Sequence, residues 1–449
     1  MSDGASATCA CDDNFVAEGL TCVPEGGDAD TDTDSDTDTD TGPSPDIDDD
    51  GVANEDDNCP AYPNPGQDPA ACASREVVGG PRGAFASAVL ADGRVLLVGA
   101  HSGADWVAQG WLYDPADDTY TRTAGDPTFD HHHGSAVTMR DGRVLVIGGD
   151  GLANSRSVEI YDPELDEFSQ TQELFGSAYL GVSVLLPDGD VLIAGGQSDG
   201  GPDRRANLFT GEDLFAAGDL PEGGAELVAP AGIVLLDGRV LLTGGVERCG
   251  DSGGPATAGV TWYDPDTGGF EVSDAVLTAP RWSHGMSLLP DGRVLVFGGA
   301  RGPCGGDIAA IDPAITAEIY DPDLDAFSVI PGETVMHLTG AAIALADGTG
   351  LLAGGMDGAG LTSAAADRVL AEGVATSPPF EADPLFVARG FLFHSAALLQ
   401  DGSVLVPGGT LGELDHLDGA DRVFPYYDVV IDRDHDGIVD ALDLDPDGG

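Results

Sequence analysis

One short pattern recurs seven times in this chain and narrows its fold more than any other feature. A hydrophobic run leads into Asp-Gly, a second hydrophobic run follows, and that run ends in glycine, in most copies Gly-Gly. The pairs stand at Asp92-Gly93, Asp141-Gly142, Asp188-Gly189, Asp237-Gly238, Asp291-Gly292, Asp347-Gly348 and Asp401-Gly402, at intervals of 49, 47, 49, 54, 56 and 54 residues. Self-similarity at such a period marks a propeller or a solenoid. Two β-rich runs joined by Asp-Gly predict a type I′ hairpin, with positive φ at both central residues. A third run ends in Tyr-Asp-Pro at Tyr113, Tyr161, Tyr263 and Tyr320, and a fourth opens near Tyr120, Phe168, Phe270 and Phe327. Four antiparallel strands per repeat make a propeller blade, so the fold expected for residues 73–431 is an all-β propeller of seven four-stranded blades. Blades 3 and 6 carry Phe209 and Val369 where Tyr-Asp-Pro elements should begin, which marks their outer strands less strongly. Residues 75–78 are expected to complete the last blade beside residues 421–431. Such closure removes the exposed edges of the sheet.

The Gly-Gly pair and the later aromatic resemble kelch repeats, and the Asp-Gly-Arg-Val-Leu form resembles the seven-bladed propeller of the galactose oxidase family. The oxidase resemblance implies copper held by two tyrosines and two histidines. One tyrosine would be cross-linked to cysteine, and one histidine would come from a C-terminal sandwich domain. No sandwich segment is visible in this sequence. Cys249 and Cys304 lie a few residues after the Gly-Gly of adjacent blades, and these equivalent positions predict a cross-blade disulfide that leaves no thiol for the cofactor. Nor does a nucleophile elbow, a phosphate loop or an HExxH motif occur. The activity is therefore not expected to accompany the fold.

In a kelch-like blade the residues before each inner strand and after each Gly-Gly share one rim. Seven of the nine histidines fall there: His101, His131, His132, His133, His284, His337 and His394. Arg82, Arg281, Arg389 and Trp282 join them. Imidazoles on a shared rim can bind a transition metal or titrate near neutral pH. Arginine beside an aromatic can hold a carboxylate or stack on a sugar. Against this, His284 and His394 both stand seven residues before their Asp-Gly, which favours a blade-to-blade hydrogen-bonding role, since structural repeats reuse structural residues. His131, His132 and His133 have no repeat counterpart and are the better ligand candidates, with a plain exposed turn as the competing reading.

Charge restricts the partners. The 449 residues hold 79 acids against 18 bases, a net −61, and every base is arginine. Nucleic acid and anionic membrane surfaces are poor partners, because each close approach adds like-charge repulsion. A hydrophobic content of 42% still supplies a sizeable core and excludes wholesale disorder. No run approaches the roughly twenty apolar residues of a membrane span. Residues 1–13 lack the basic start and apolar run of a signal peptide. The seven cysteines, in close groups beside turn residues, nevertheless argue for an oxidising compartment. A segment upstream of this sequence would reconcile the two, and an extracellular or cell-surface location is expected.

The flanks carry their own motifs. Cys9, Cys11, Phe15, Gly19 and Cys22 resemble the C-terminal half of an EGF-like module, and that analogy pairs Cys11 with Cys22 over residues 1–24. Residues 25–45 are an Asp/Thr run with almost nothing apolar to bury, expected as an extended spacer. Over residues 46–72, oxygen ligands at loop positions 1, 3, 5, 9 and 12 with glycine at 6 describe a calcium loop of the EF-hand type. They are Asp46, Asp48, Asp50, Asn54 and Asp57, with Gly51 and the Val52 carbonyl. The pattern returns over residues 432–449 with Asp432, Asp434, Asp436, the Ile438 carbonyl, Asp440 and Asp443. The Asn58-Cys59-Pro60 continuation resembles thrombospondin type 3 repeats, and Cys59 with Cys72 is a further disulfide candidate. The reading is a calcium-binding propeller, monomeric and secreted or cell-surface, that acts as a non-catalytic binding or adhesion module for an extracellular protein or glycan. The alternative is a carbohydrate-active propeller enzyme using the His/Arg rim.

Overall fold

The second hydrophobic run of each repeat, such as Val95-Leu96-Leu97-Val98, is apolar at every position, so a strand made from it must be covered on both faces. The computed structural model shows the cover. It describes residues 15–18, 21–24, 74–77, 86–102, 105–149, 154–198, 201–249, 253–304, 312–334, 341–354, 366–376, 396–407, 410–411, 415–416 and 420–423. Val95 and Leu97 pack against Ala397, Leu399 and Leu405 of the neighbouring sheet on one side. Leu96 and Val98 pack against Val144, Val146 and Tyr161 of the next sheet on the other.

The chain forms two units, Met1–Pro45 and Asp46–Gly449. In the first, Phe15–Glu18 pairs antiparallel with Thr21–Pro24. The second unit holds the blades. Blade 1 is Ala86–Val89, Val95–Ser102, Asp105–Asp114 and Thr119–Arg122; blade 2 is Ser135–Thr138, Val144–Ile147, Val158–Asp162 and Glu167–Gln170. Blade 3 is Val182–Leu185, Val191–Ala194, Arg205–Phe209 and Leu214–Asp219; blade 4 is Ala231–Val234, Val240–Thr243, Val260–Asp264 and Gly269–Val272. Blade 5 is Gly285–Leu288, Val294–Phe297, Glu318–Asp321 and Ala326–Val329; blade 6 is Ala341–Ala344, Gly350–Ala353, Ala366–Leu370 and Gly373–Thr376.

These six blades are contiguous in sequence. A further four-stranded sheet takes Ala397–Leu398, Val404–Pro407 and Ala420–Val423 from one end of the chain and Ser74–Val77 from the other, with Arg75 opposite Arg422. The innermost strand of each sheet contacts that of the next, and Ala397–Leu398 contacts Ala86–Val89, so the ring closes. The prediction of an all-β propeller of four-stranded antiparallel blades holds, and no helix occurs among the described residues. Burial is organised as clusters along the seams between sheets rather than as one central core.

The structure corrects the turn chemistry. At the first Asp-Gly, Gly93 N donates to Leu90 O at 3.0 Å and Leu90 N to Arg94 O at 2.8 Å, and only the glycine has positive φ (90°). The loop is therefore three residues long, with glycine at the left-handed position that follows a tight turn, and not a type I′ pair. Aspartate belongs there for a different reason. Its Oδ1 accepts the amide two residues on, Arg94 N at 3.1 Å here and Ser403 N at 3.0 Å in the last copy. Blades 3 and 6 keep their outer strands despite lacking the tyrosine. Phe209 and Val369 are as fully buried as Tyr113 and Tyr161, so an apolar side chain in the seam suffices.

Candidate functional site

The rim turn has a repeated build. Eight residues before each Asp-Gly, His133, Leu180, Ala229 and Ser283 adopt left-handed φ of 57°, 57°, 52° and 52°. This reversal lets the preceding residue pair with the strand emerging from Gly-Gly: Tyr179 with Gln197, Val228 with Val246, Trp282 with Ala300. One residue earlier, Ala178, Leu227 and Arg281 lie against the first glycine of the preceding blade's pair. A Cβ on Gly244 would collide with the Arg281 carbonyl oxygen, and one on Gly195 with that of Leu227. The Gly-Gly marker thus records the close passage of the next blade over its neighbour.

His131 and Arg281 occupy the same place in this frame, ten residues before Asp141 and Asp291. Both are 0% exposed. His131 Nδ1 lies 2.6 Å from Gly148 O, and Nε2 lies 2.9 Å from Oε2 of Glu159. Glu159 also accepts the Thr128 amide at 3.0 Å and the Phe129 amide at 3.1 Å. Burial pushes the Glu159 carboxyl up, but the His131 hydrogen bond and these amides outweigh it and hold its pKa below the ordinary value. Arg281 repeats the arrangement. Its Nη2 donates to Glu318 at 2.6 Å and its Nη1 to Thr316 O at 2.9 Å and Gly298 O at 3.2 Å. Glu318 accepts the Thr278 and Ala279 amides at 2.6 and 3.3 Å. Burial lowers the guanidinium pKa and Glu318 opposes that shift.

Glu159 and Glu318 each stand two residues before the third-strand tyrosine. In blade 3 that place is held by Asn207, which accepts the Phe175 amide at 2.9 Å, and in blade 4 by Thr261, which accepts the Ala225 amide at 3.0 Å. The position is a lock that ties the rim loop to its own blade. It was missed in the sequence because its occupants differ chemically. Counting back from both markers, ten residues from Asp-Gly and two from the tyrosine, was the signal that could have found it.

Trp282 is fully buried among Val228, Val246 and Cys304, and its Nε1 donates to Gly302 O at 3.2 Å. His284, 7% exposed, has Nε2 2.8 Å from Thr243 Oγ1 of blade 4, a blade-to-blade bond. Burial drives its pKa well below the ordinary histidine value, and the Arg281 charge adds to the shift. His132 Nδ1 is 2.8 Å from Asp130, which also accepts Asn154 Nδ2 at 3.1 Å. His133 is half-buried, its ring 5.2 Å from that of His132 and 6.0 Å from Tyr179 of blade 3. The structure thus separates the predicted rim set. His131, His132, Arg281, Trp282 and His284 are buried, whereas His133 and Tyr179 keep partial exposure where blades 2 and 3 meet.

Cys249 and Cys304 form a disulfide with Cα atoms 4.6 Å apart, joining the Gly-Gly loops of blades 4 and 5. Gln197 of blade 3 adds a second tie, accepting the Cys249 amide at 2.9 Å and donating to its carbonyl at 3.2 Å. Only the backbone of His101 and Cys22 is described. Arg82, His337, Arg389, His394, Cys11, Cys59, Cys72 and both calcium loops lie outside the described residues. Among the described residues, no three of His, Cys, Asp or Glu form a group suited to hold a metal ion.

The Kelch motif family matches residues 131–174. A WSC domain-containing protein of Arthroderma benhamiae is 28% identical over 239 residues, which are 49% of this chain and 26% of that protein. The chain therefore spans about a quarter of that relative's length. Among solved structures, a fungal alcohol oxidase of the AA5 family in complex with copper matches at a TM-score of 0.48 and 20% identity, covering 61% of this chain and 58% of that one.

Proposed function

We propose that this chain is a secreted or cell-surface binding module, a kelch-like propeller that presents its rim to a protein or glycan ligand without catalysing a reaction. One observation carries the reading. The rim side chains with the most chemical potential, His131, Arg281 and His284, spend their hydrogen bonds inside the fold, on Glu159, Glu318 and Thr243. The disulfide likewise takes both Cys249 and Cys304. The partly exposed rings where blades 2 and 3 meet are those of His133 and Tyr179, amphipathic rings suited to stacking on a sugar or an apolar side chain. Calcium held by Asp46, Asp48, Asp50, Asn54 and Asp57, and by Asp432, Asp434, Asp436, Asp440 and Asp443, would brace the base of the module.

A glycan and protein array probed in calcium buffer tests the reading. A specific hit that Tyr179→Ala or His133→Ala weakens by about tenfold, with the fold intact, is the expected result. Stoichiometric copper together with alcohol or sugar oxidation would overturn it in favour of an enzyme. The calcium part is tested separately: EDTA should lower the melting temperature, and a melt indifferent to EDTA and to added calcium refutes it.

A further inference from the structure

The rim locks of blades 2 and 5 match bond for bond, although one is built on histidine and the other on arginine. In blade 5, Arg281 donates to Glu318 and to the carbonyl of Gly298, the first glycine of its own blade's pair. In blade 2, His131 meets Glu159 and the carbonyl of Gly148, the same two places in the repeat. Arginine bonds both partners because its guanidinium holds donors only. Histidine can do the same in one form alone.

Gly148 O can only accept, and it lies 2.6 Å from Nδ1. Glu159 Oε2 lies 2.9 Å from Nε2 and also accepts the Phe129 amide at 3.1 Å, while Oε1 accepts the Thr128 amide at 3.0 Å. A carboxyl that receives this many donors is held as the carboxylate, in line with its lowered pKa. Both ring nitrogens therefore face acceptors. A neutral imidazole carries one N–H and would set a bare lone pair against the other oxygen, at a residue 0% exposed, where solvent cannot replace the lost bond. Only the imidazolium satisfies both. The lock also holds unfavourable backbone: His131 and His133 have φ of 45° and 57°, the left-handed region that residues other than glycine adopt at a cost. His131 O accepts the Gly134 amide at 3.0 Å and closes this turn.

We propose that the blade 2 rim loop is a pH-sensitive latch, closed by the His131 imidazolium on Glu159 and Gly148 O and released when that proton leaves. The titratable and charged groups around it are few. Glu159 stands on the third strand, and Asp130, His132 and His133 belong to the loop itself, where Asp130 is engaged by His132 Nδ1 at 2.8 Å and Asn154 Nδ2 at 3.1 Å. Arg156 is turned to Leu174 O, 2.8 Å from its Nε. Blade 3 sets apolar Ala178 against Gly148, and by repeat position the loop crosses Gly99 of blade 1, two residues before His101. Among the described residues, Glu159 is the one charged group bonded to the ring. Deprotonation removes one of the ring's two bonds and lets the left-handed turn relax. The turn carries His133, whose ring is 6.0 Å from Tyr179, so release alters the seam between blades 2 and 3. The closed latch binds a proton that the open chain gives up above the ordinary histidine value of about 6.5, so its contribution is full below that pH and falls as pH rises. The latch needs no ligand, and its test is separate from the rim's.

Nitrogen-15 NMR of the histidine rings at about pH 7 tests the protonation state, with the His131 signals identified by their loss in His131→Gln. Two protonated ring nitrogens are expected, and one bare nitrogen would overturn the proposal. Hydrogen exchange, corrected for intrinsic base catalysis, reads the latch. The Thr128 and Phe129 amides should lose at least about tenfold protection between about pH 6 and about pH 9. His131→Arg places in blade 2 the residue blade 5 uses, whose donors do not titrate, and should hold that protection constant. His131→Gln is neutral throughout and should show the low protection at both pH values, so the idea stays testable if arginine does not fit the seam. Wild-type protection that is constant with pH, or that falls as far in His131→Gln as in wild type, would overturn the latch.

Discussion

The rim locks show how a buried charge is tolerated. Arg281 and Glu318 are both 0% exposed, and each carries several hydrogen bonds besides the ion pair. Removing one member leaves the other buried without compensation, which typically costs about 3–5 kcal/mol. Glu318→Ala is therefore expected to lower unfolding free energy by that amount in urea titration. Glu318→Gln retains an acceptor for the Thr278 amide and should cost less. If Glu318→Ala costs no more than a surface substitution, the lock assignment fails. His284 gives a pH signature. Its folded pKa lies well below 6.5, so as pH falls through that value the unfolded chain takes up a proton that the folded one refuses. Its contribution is present in full above pH 6.5 and is lost as pH falls below, at up to about 1.4 kcal/mol per pH unit. Comparing wild type with His284→Gln removes the background of the many carboxylates. The stability difference between the two should shrink or reverse between neutral pH and pH 5, and a pH-independent difference would refute the assignment.

At the scale of the element, the third and fourth strands are held by an aromatic clasp and a polar latch. The rings of Tyr161 and Phe168 lie 4.9 Å apart and those of Tyr320 and Phe327 4.8 Å. The tyrosine hydroxyl then reaches an aspartate held at positive φ, 55° for Asp166 and 47° for Asp325. Asp325→Ala removes the acceptor and leaves a Cβ in left-handed backbone, for a loss of about 2 kcal/mol. Asp325→Gly, the residue that blade 4 carries at the equivalent Gly268, removes the acceptor without leaving a Cβ in left-handed backbone and should cost about 1 kcal/mol. Equal losses in denaturant unfolding would show that backbone strain plays no part. The clasp was legible from sequence, because Tyr-Asp-Pro and the later aromatic fall at fixed offsets from Asp-Gly. The turn type was misread, since Asp-Gly signals both two-residue and three-residue hairpins, and only the glycine turned out to need positive φ. The rim was half legible. His284 was recognised as a repeat residue through its match with His394, but His131 and Arg281 hid their equivalence behind different chemistry. Their glutamates stand 28 and 37 residues further on, on another strand. A hydrogen bond across such a separation leaves no local pattern to read.

For the whole molecule, the charge of −61 is a destabilising field that the fold has to carry. Four of its eighteen arginines do little against that field. Arg94, Arg143, Arg239 and Arg293 each pair with the aspartate two residues before, on turns where the partners are 31–52% exposed. Exposed pairs of this kind contribute about 0–1 kcal/mol. They shape the Asp-Gly turn and leave the rest of the acid unbalanced. The apolar seams between sheets oppose the repulsion, and they are indifferent to moderate ionic strength, whereas the repulsion is not. At 0.01 M salt the screening length is about 30 Å, and at 1 M about 3 Å. Melting temperature is therefore expected to rise steadily with sodium chloride from low to molar concentration, the steepest gain coming below about 0.2 M, where the screening length passes through typical charge separations. Substituting exposed acids by asparagine or glutamine, away from the Asp-Gly and Tyr-Asp-Pro turns, should raise the low-salt melting temperature and flatten its salt dependence. A melting temperature that is flat or falling with salt would mean that the acid is balanced locally. The paired aspartates of the turns would then outweigh the long-range field.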